Sequence, residues 1–208
     1  MDKLSRMLNN QISLLEIEFK FFCTITWRYK ETSMERVHSR HKELRRSIRN
    51  FYGEPVKCWF FNEVHTHPDH PHYDGFHTHL LVEDCSPERW RTPSKRMERF
   101  LQDKDAEALF IALSGGKPTD TQKIALLKRV LRLHPLVPNG LLGVDVKAIH
   151  DLQGLLGRGG YCLKQIGHDQ SIADVIDLTA SDLDLTASNW DERLTRQEAL
   201  PRWTYKSL

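Results

Sequence analysis

Hydrophobic and polar residues alternate along several short segments of the chain, and this alternation is typical of β-strands. The first such segment is FKFFCTITW at residues 19–27. One face of the predicted strand carries Phe19, Phe21, Cys23, Ile25 and Trp27. The other face, which also carries bulk, holds Lys20, Phe22, Thr24 and Thr26. We therefore expect a central strand of a sheet, covered on both sides.

Two more alternating segments follow, VKCWFFNEV at residues 56–64 and FHTHLLVE at residues 76–83. In the first of these, one face carries Trp59, Phe61 and Glu63, and the other face carries Cys58, Phe60 and Asn62. A loop rich in Pro, His and Asp joins the two segments, so we expect an antiparallel pair. A fourth strand is predicted within GLLGVDVKAIHD at residues 140–151.

Helical spacing of apolar residues predicts a long helix after the first strand, within residues 32–53. Its start resembles a capping box formed by Thr32 and Glu35. The predicted buried stripe consists of Met34, Val37, Leu44, Ile48 and Phe51. The rest of its surface is basic, with Arg36, Arg40, Lys42, Arg45, Arg46 and Arg49. Such a face is either solvated or directed at phosphate groups.

Three further helices are predicted. One begins at Ser86, followed by a proline, and runs to about residue 101. Another occupies residues 119–134 and ends before Pro135, inside a segment at about 104–140 that resembles an insertion. The last lies in the second half of residues 151–167, despite its glycines, which weaken a helix by up to about 1 kcal/mol each.

Together, these elements predict an α+β fold in which a central antiparallel sheet is flanked by helices, mainly on one face. A chain of 208 residues is long enough for one domain with extensions. We expect a domain at residues 1–167, with the helical insertion at about 104–140. Residues 168–208 carry eight acidic residues against four Lys and Arg, and we interpret them as an acidic C-terminal extension.

Composition narrows the function only a little, because the formal net charge is +2. The four cysteines have no Cys-x-x-Cys spacing and lie mostly in apolar runs, which favours reduced thiols and a cytoplasmic location. The first 19 residues have neither a signal-peptide core nor the roughly 20 apolar residues of a membrane span. We therefore expect no membrane partner.

The stretch DGFHTHLLVED at residues 74–84 contains the first candidate chemistry. His77 and His79 are two residues apart on a predicted strand, so they project from the same face. Two imidazoles at this spacing can bind one divalent cation if a neighbouring strand supplies a third ligand. Glu63 is the candidate for that ligand, and His65 is the alternative. An open site of this kind suits Mg²⁺, Mn²⁺ or a catalytic zinc.

A second candidate lies in GYCLKQ at residues 160–165. Tyr161 and Lys164 are three residues apart on a predicted helix, so they share a face. A tyrosine hydroxyl can attack phosphorus and form a covalent intermediate. A nearby cation would stabilise charge on the phosphate during transfer.

Three segments in order, FFCTITW at 21–27, GFHTHLLVE at 75–83 and GYCLKQ at 160–165, resemble the motifs of the HUH (His-hydrophobe-His) endonucleases. The resemblance is to the single-tyrosine replication initiator (Rep) proteins of rolling-circle plasmids and small viruses. It spans residues 19–167. One departure is that Thr78, rather than a hydrophobic residue, separates the two histidines; Thr is β-branched and fits an inward strand position.

The resemblance implies an RRM-like or ferredoxin-like fold and a Mg²⁺ or Mn²⁺ ion held by His77, His79 and Glu63. It also implies that Tyr161 is the nucleophile and that Lys164 positions the scissile phosphate. Such an enzyme nicks one strand at an origin, keeps the 5′ phosphate on the tyrosine and frees a 3′ hydroxyl for a polymerase. Rejoining by the reverse reaction makes it a ligase as well.

The implied substrate is single-stranded, cruciform or hairpin origin DNA. Candidates for contact with its backbone are Arg45, Arg46 and Arg49 in the first helix and Arg158 beside the tyrosine. The chain has no Gly-x-x-x-x-Gly-Lys-[Ser/Thr] motif, so unwinding would need a host helicase, to which the acidic extension is a candidate docking segment.

Three other functions fit the same sequence. A single-tyrosine transposase would use the same chemistry on a mobile element. A non-catalytic module would bind single-stranded nucleic acid by stacking bases on Trp27, Trp59 and Phe61. A zinc hydrolase built on the histidine-rich loop would contain stoichiometric zinc and form no covalent adduct with DNA.

Overall fold

The structure is a computed structural model, and it describes residues 19–52, 56–84, 116–138, 143–162, 175–177 and 180–181. In these ranges the elements are β1 (Phe19–Ile25), α1 (Met34–Tyr52), β2 (Cys58–Val64), β3 (Phe76–Glu83), α2 (Asp120–Arg132), β4 (Val144–Ala148) and α3 (Leu152–Cys162). The predicted α+β class is confirmed. The helix predicted from Ser86 lies outside the described residues.

The four strands form one antiparallel sheet in the order β2-β3-β1-β4. The predicted pairing of β2 with β3 and the central position of β1 are therefore confirmed. One detail of β1 is wrong: a bulge between Phe19 and Phe21 shifts the register of its pairing with β3. As a result, Phe19 packs with Phe22 and Trp59 on the face opposite to Phe21.

One face of the sheet packs against α1 and α2. From α1, the residues of this core are Leu44, Ile48 and Tyr52, and from α2 they are Leu126, Leu127, Val130 and Leu131. These four α2 side chains are all fully buried (0% exposed). The helix therefore forms part of the main core, although from the sequence we expected it to belong to an insertion.

The other face of the sheet packs against α3. Its smaller core contains Leu155 and Cys162 of α3 together with Phe22, Trp59 and Phe61 of the strands. Because Leu155 and Cys162 are seven residues apart, they lie on one side of the helix. The side of α3 that carries these two residues therefore faces the sheet.

The helix caps differ in part from prediction. The capping box assigned to Thr32 and Glu35 is wrong, because the Ser33 hydroxyl accepts the hydrogen bond from the Arg36 backbone N–H (3.3 Å). At α2, Thr119 and Gln122 form a complete capping box. At α3, the Asp151 carboxylate accepts a hydrogen bond from the Gly154 N–H (2.6 Å) and starts the helix.

Residues 175–177 and 180–181 lie along the edge of β2. Ile176 bridges to Phe61, and the Asp177 N–H donates to the Phe60 carbonyl (3.1 Å). The Phe60 N–H in turn donates to Ser181 Oγ (2.9 Å). Although residues 168–208 were assigned to an extension, their described part, at 175–177 and 180–181, is buried in the domain.

Candidate metal centre

The register between β2 and β3 brings three candidate ligands together. Glu63 is paired directly with His77, and Phe61 is paired with His79, so Glu63 is also diagonal to His79 on the same face. The loop between the strands does not disturb this register. The His65 N–H donates to the Gly75 carbonyl and the Asp74 N–H donates to the His65 carbonyl, each at 2.9 Å, and these bonds close the loop.

The three side chains converge on one point. Glu63 Oε2 lies 3.0 Å from His77 Nε2 and 2.6 Å from His79 Nε2, and the two Nε2 atoms are 3.0 Å apart. All three residues are buried, with 3–8% of their surface exposed. Three lone-pair donors this close together repel one another unless a proton or a cation lies between them. The group can therefore hold a metal ion.

Two neighbours fix the ring of His79. Its Nδ1 lies 3.1 Å from Thr24 Oγ1, so the ring can donate from Nδ1 and leave Nε2 for a cation. The Phe22 ring stacks on it at a centroid distance of 5.2 Å. Thr24 was not among the predicted site residues. Its signal in the sequence was its position on the same face of the central strand as Phe22.

His65, the alternative third ligand, lies beside the group rather than in it. Among the described residues, Glu63, His77 and His79 form the only set of three or more such side chains whose donor atoms all lie within 4.8 Å. The His65 ring instead stacks on His70 (centroids 3.8 Å apart) and lies tilted against His77 (4.3 Å). Burial, and then the charges of His77 and its other histidine neighbours, lower the pKa of His65 to about 4.

Tyr161 approaches this group from α3. Its ring makes an edge contact with His79, with the centroids 5.3 Å apart, while 46% of its surface stays exposed. The Tyr161 ring is thus next to one candidate metal ligand and accessible from solvent. Lys164, the predicted positioning residue, lies outside the described residues.

The predicted DNA contacts fall on two sides of the sheet. Arg158 is on the same side of α3 as Tyr161, and its guanidinium lies over the Phe22 ring, 5.3 Å from the centroid. By contrast, Arg45, Arg46 and Arg49 belong to α1, which packs on the opposite face. The structure does not bring these three arginines to the metal centre.

The aromatic side chains proposed for base stacking are not on the surface. Trp27 and Phe61 are fully buried (0% exposed), and Trp59 is 1% exposed. Each packs within the cores described above. A stacking platform made of these three residues is therefore contradicted by the structure, because bases cannot reach their ring faces.

The donor set suits several divalent ions. Two imidazoles and one carboxylate are typical of catalytic zinc sites and of open sites for other transition metals. A carboxylate also favours Mn²⁺ or Mg²⁺. The geometry therefore supports metal binding without selecting one ion.

None of the helices in the described parts of the chain is long and apolar enough to span a membrane. Comparisons of the chain with protein-family models, with curated proteins and with solved structures gave no match.

Proposed function

We propose that the protein is a metal-dependent DNA nickase and ligase of the HUH type that initiates rolling-circle replication. One observation carries the proposal: the accessible Tyr161 ring contacts His79, a member of the buried Glu63–His77–His79 group. A nucleophile and a cation site that meet in this way are what phosphoryl transfer to a tyrosine requires. The order of the three sequence motifs adds to this support.

In the proposed reaction, the Tyr161 hydroxyl oxygen attacks a backbone phosphorus of single-stranded DNA. The bond to the 3′ oxygen breaks. The phenolic proton passes to solvent, and the leaving 3′ oxygen takes up a proton from solvent to become a hydroxyl. The 5′ phosphate remains on Tyr161 until a 3′ hydroxyl attacks it and restores the tyrosine. When bound, Mn²⁺ or Mg²⁺ would polarise the scissile phosphate.

The proposed DNA contacts form two sets, one on each face of the sheet. Arg158, on the side of α3 that faces the centre, would contact the backbone of the strand being cut. Arg45, Arg46 and Arg49, on the other face, would contact a flanking part of the origin hairpin rather than the scissile phosphate. Both contacts would be salt-sensitive.

A host helicase remains a proposed partner of the acidic C-terminal segment. A truncation that tests this must keep residues 175–177 and 180–181, because they are buried against β2. The informative truncation therefore begins after Ser181. Unchanged replication in cells with this truncation would exclude docking through residues 182–208.

The decisive experiment looks for a denaturant-resistant adduct between the protein and origin-like hairpins in Mn²⁺. The adduct should form with wild type, disappear in EDTA and be absent from Tyr161→Phe and His77→Ala. Tyr73→Phe is the matched control, since Tyr73 is 47% exposed and Tyr161 is 46% exposed. An adduct that survives Tyr161→Phe would contradict the assigned nucleophile.

A zinc hydrolase is the second candidate, because the two-imidazole, one-carboxylate set is common in catalytic zinc sites. In that enzyme, water attacks the substrate and Tyr161 only contacts it. Cleaved product without any adduct, together with activity retained in Tyr161→Phe, would favour the hydrolase over the nickase.

A further inference from the structure

A fully buried chain of polar groups lies behind the metal centre, on the α1 side of the sheet. It consists of Asp177, His41 and Thr78, none of which is exposed (0%). His41 Nδ1 is 3.0 Å from Asp177 Oδ2, and His41 Nε2 is 2.8 Å from Thr78 Oγ1. Hydroxyl, imidazole and carboxyl follow one another as in hydrolytic triads. Because no substrate can reach the buried hydroxyl, the chain does not act as such a triad.

In the buried polar chain, each hydrogen-bond donor is matched with an acceptor. Burial lowers the pKa of His41 more than the neighbouring Asp177 raises it, so the imidazole is neutral at pH 7. A neutral imidazole has one donor and one acceptor nitrogen. Nδ1–H donates to Asp177, and Nε2 accepts from the Thr78 hydroxyl. The second oxygen of Asp177 accepts the Ala180 N–H (3.0 Å).

The buried polar chain of Asp177, His41 and Thr78 ends at a residue that lies between the two histidine ligands. Thr78 separates His77 from His79 in β3 and points to the opposite face, so the position of its side chain fixes the pleat from which both imidazoles project. Asp177 also binds β2, the strand that carries Glu63, through the Phe60 carbonyl. One short segment therefore holds both strands that supply the metal ligands.

We propose that Asp177 is a positioning residue of the metal centre and acts on it through His41 and Thr78. This inference rests on the proposed function of the centre as a metal site. Metal ligands must be held closely in place by supporting hydrogen bonds, and the loss of such support weakens metal affinity. Asp177 would thus be needed for metal binding although it is not itself a ligand of the Glu63–His77–His79 group.

The test measures Mn²⁺ affinity by the electron paramagnetic resonance signal of free Mn²⁺, and ligand geometry by the absorption spectrum of the Co²⁺ form. Thr78→Val keeps the shape of a β-branched side chain but removes the hydroxyl, and it should weaken Mn²⁺ binding about tenfold. Thr78→Ser restores the hydroxyl and should restore affinity and spectrum. Asp177→Ala should match Thr78→Val.

Ser181→Ala is the matched control, because it removes one hydrogen bond between the same segment and Phe60 and leaves the hydrogen bonds from Asp177 through His41 to Thr78 intact. It should lower the melting temperature yet leave Mn²⁺ affinity within about twofold. Unchanged affinity and an unchanged Co²⁺ spectrum in Thr78→Val would overturn the inference, even if Asp177→Ala fails to fold. Wild-type protein that binds no metal would instead overturn the proposed function, and the inference with it.

Discussion

Replacing Glu63 by glutamine tests whether the buried group is a metal centre. The glutamine side chain has nearly the same shape, and its amide can still donate to one of the two Nε2 atoms, which lie 2.6 and 3.0 Å from the wild-type oxygen. The fold should therefore persist. What the substitution removes is the only negative charge in the set of three ligands.

The expected magnitude follows from that charge. Unit charges about 4 Å apart at an effective dielectric constant of about 20 attract by roughly 4 kcal/mol, and a bound divalent ion is closer and doubly charged. A loss of roughly 4 kcal/mol corresponds to about a thousandfold in affinity. At a Mn²⁺ concentration of about 100 times the wild-type Kd, the wild type gains about 2.7 kcal/mol, and the variant gains almost nothing.

Thermal unfolding measures this difference. For a chain of this length, about 1 kcal/mol shifts the melting temperature by about 2–4 °C, so Mn²⁺ should raise the wild-type Tm by about 5–11 °C. Glu63→Gln should show no rise, whereas Glu35→Gln, an exposed charge on the other face, should behave as wild type. An equal rise in Glu63→Gln would refute the assignment of this carboxylate as a ligand.

Three further predictions concern the fold and the tyrosine helix. Gly157→Ala should stabilise the protein by about 0.5–1 kcal/mol, because an added Cβ meets nothing within 4 Å; an unchanged or lower Tm would contradict this. Leu127→Ala should cost about 2–5 kcal/mol in chemical denaturation, since Leu127 is fully buried; a loss under about 1 kcal/mol would mean that α2 is dispensable. Burial lowers the pKa values of His41 and His134 from 6.5. As the pH falls through about 6.5, these histidines therefore bind protons in the unfolded chain but not in the folded one, and the free energy of unfolding decreases. In EDTA, Tm should therefore drop between about pH 7.5 and about pH 5.5, and a flat profile would oppose this account.

The sequence determined the strands, the pairing of β2 with β3 and the candidate ligands. Alternation has a period of two residues, so wherever no bulge interrupts the strand it assigns residues to a face without knowledge of the rest of the chain. This is why His77 and His79 could be placed on one face and Glu63 on the matching face of its neighbour. The prediction that Tyr161 lies on a helix also came from a local pattern.

Tertiary structure alone decided which distant groups meet. The choice of Glu63 over His65 depended on how the histidine loop closes, and the contact between Tyr161 and His79 depended on which side of α3 faces the sheet. The arginines of α1 lie away from the metal centre because α1 packs on the opposite face of the sheet. Periodicity carries no information on such relations, because they are set by the packing of complete elements.

The buried polar chain illustrates the same limit. His41 stands on the apolar stripe of α1 between Val37 and Leu44, and Asp177 lies in an acidic stretch that is typical of a solvated tail. Asp177 alone suggests an exposed side chain, and the position of His41 on that stripe does not identify its partner. Only the return of the chain to the edge of β2 makes them partners, because a hydrogen bond between residues 136 positions apart is visible in no local pattern.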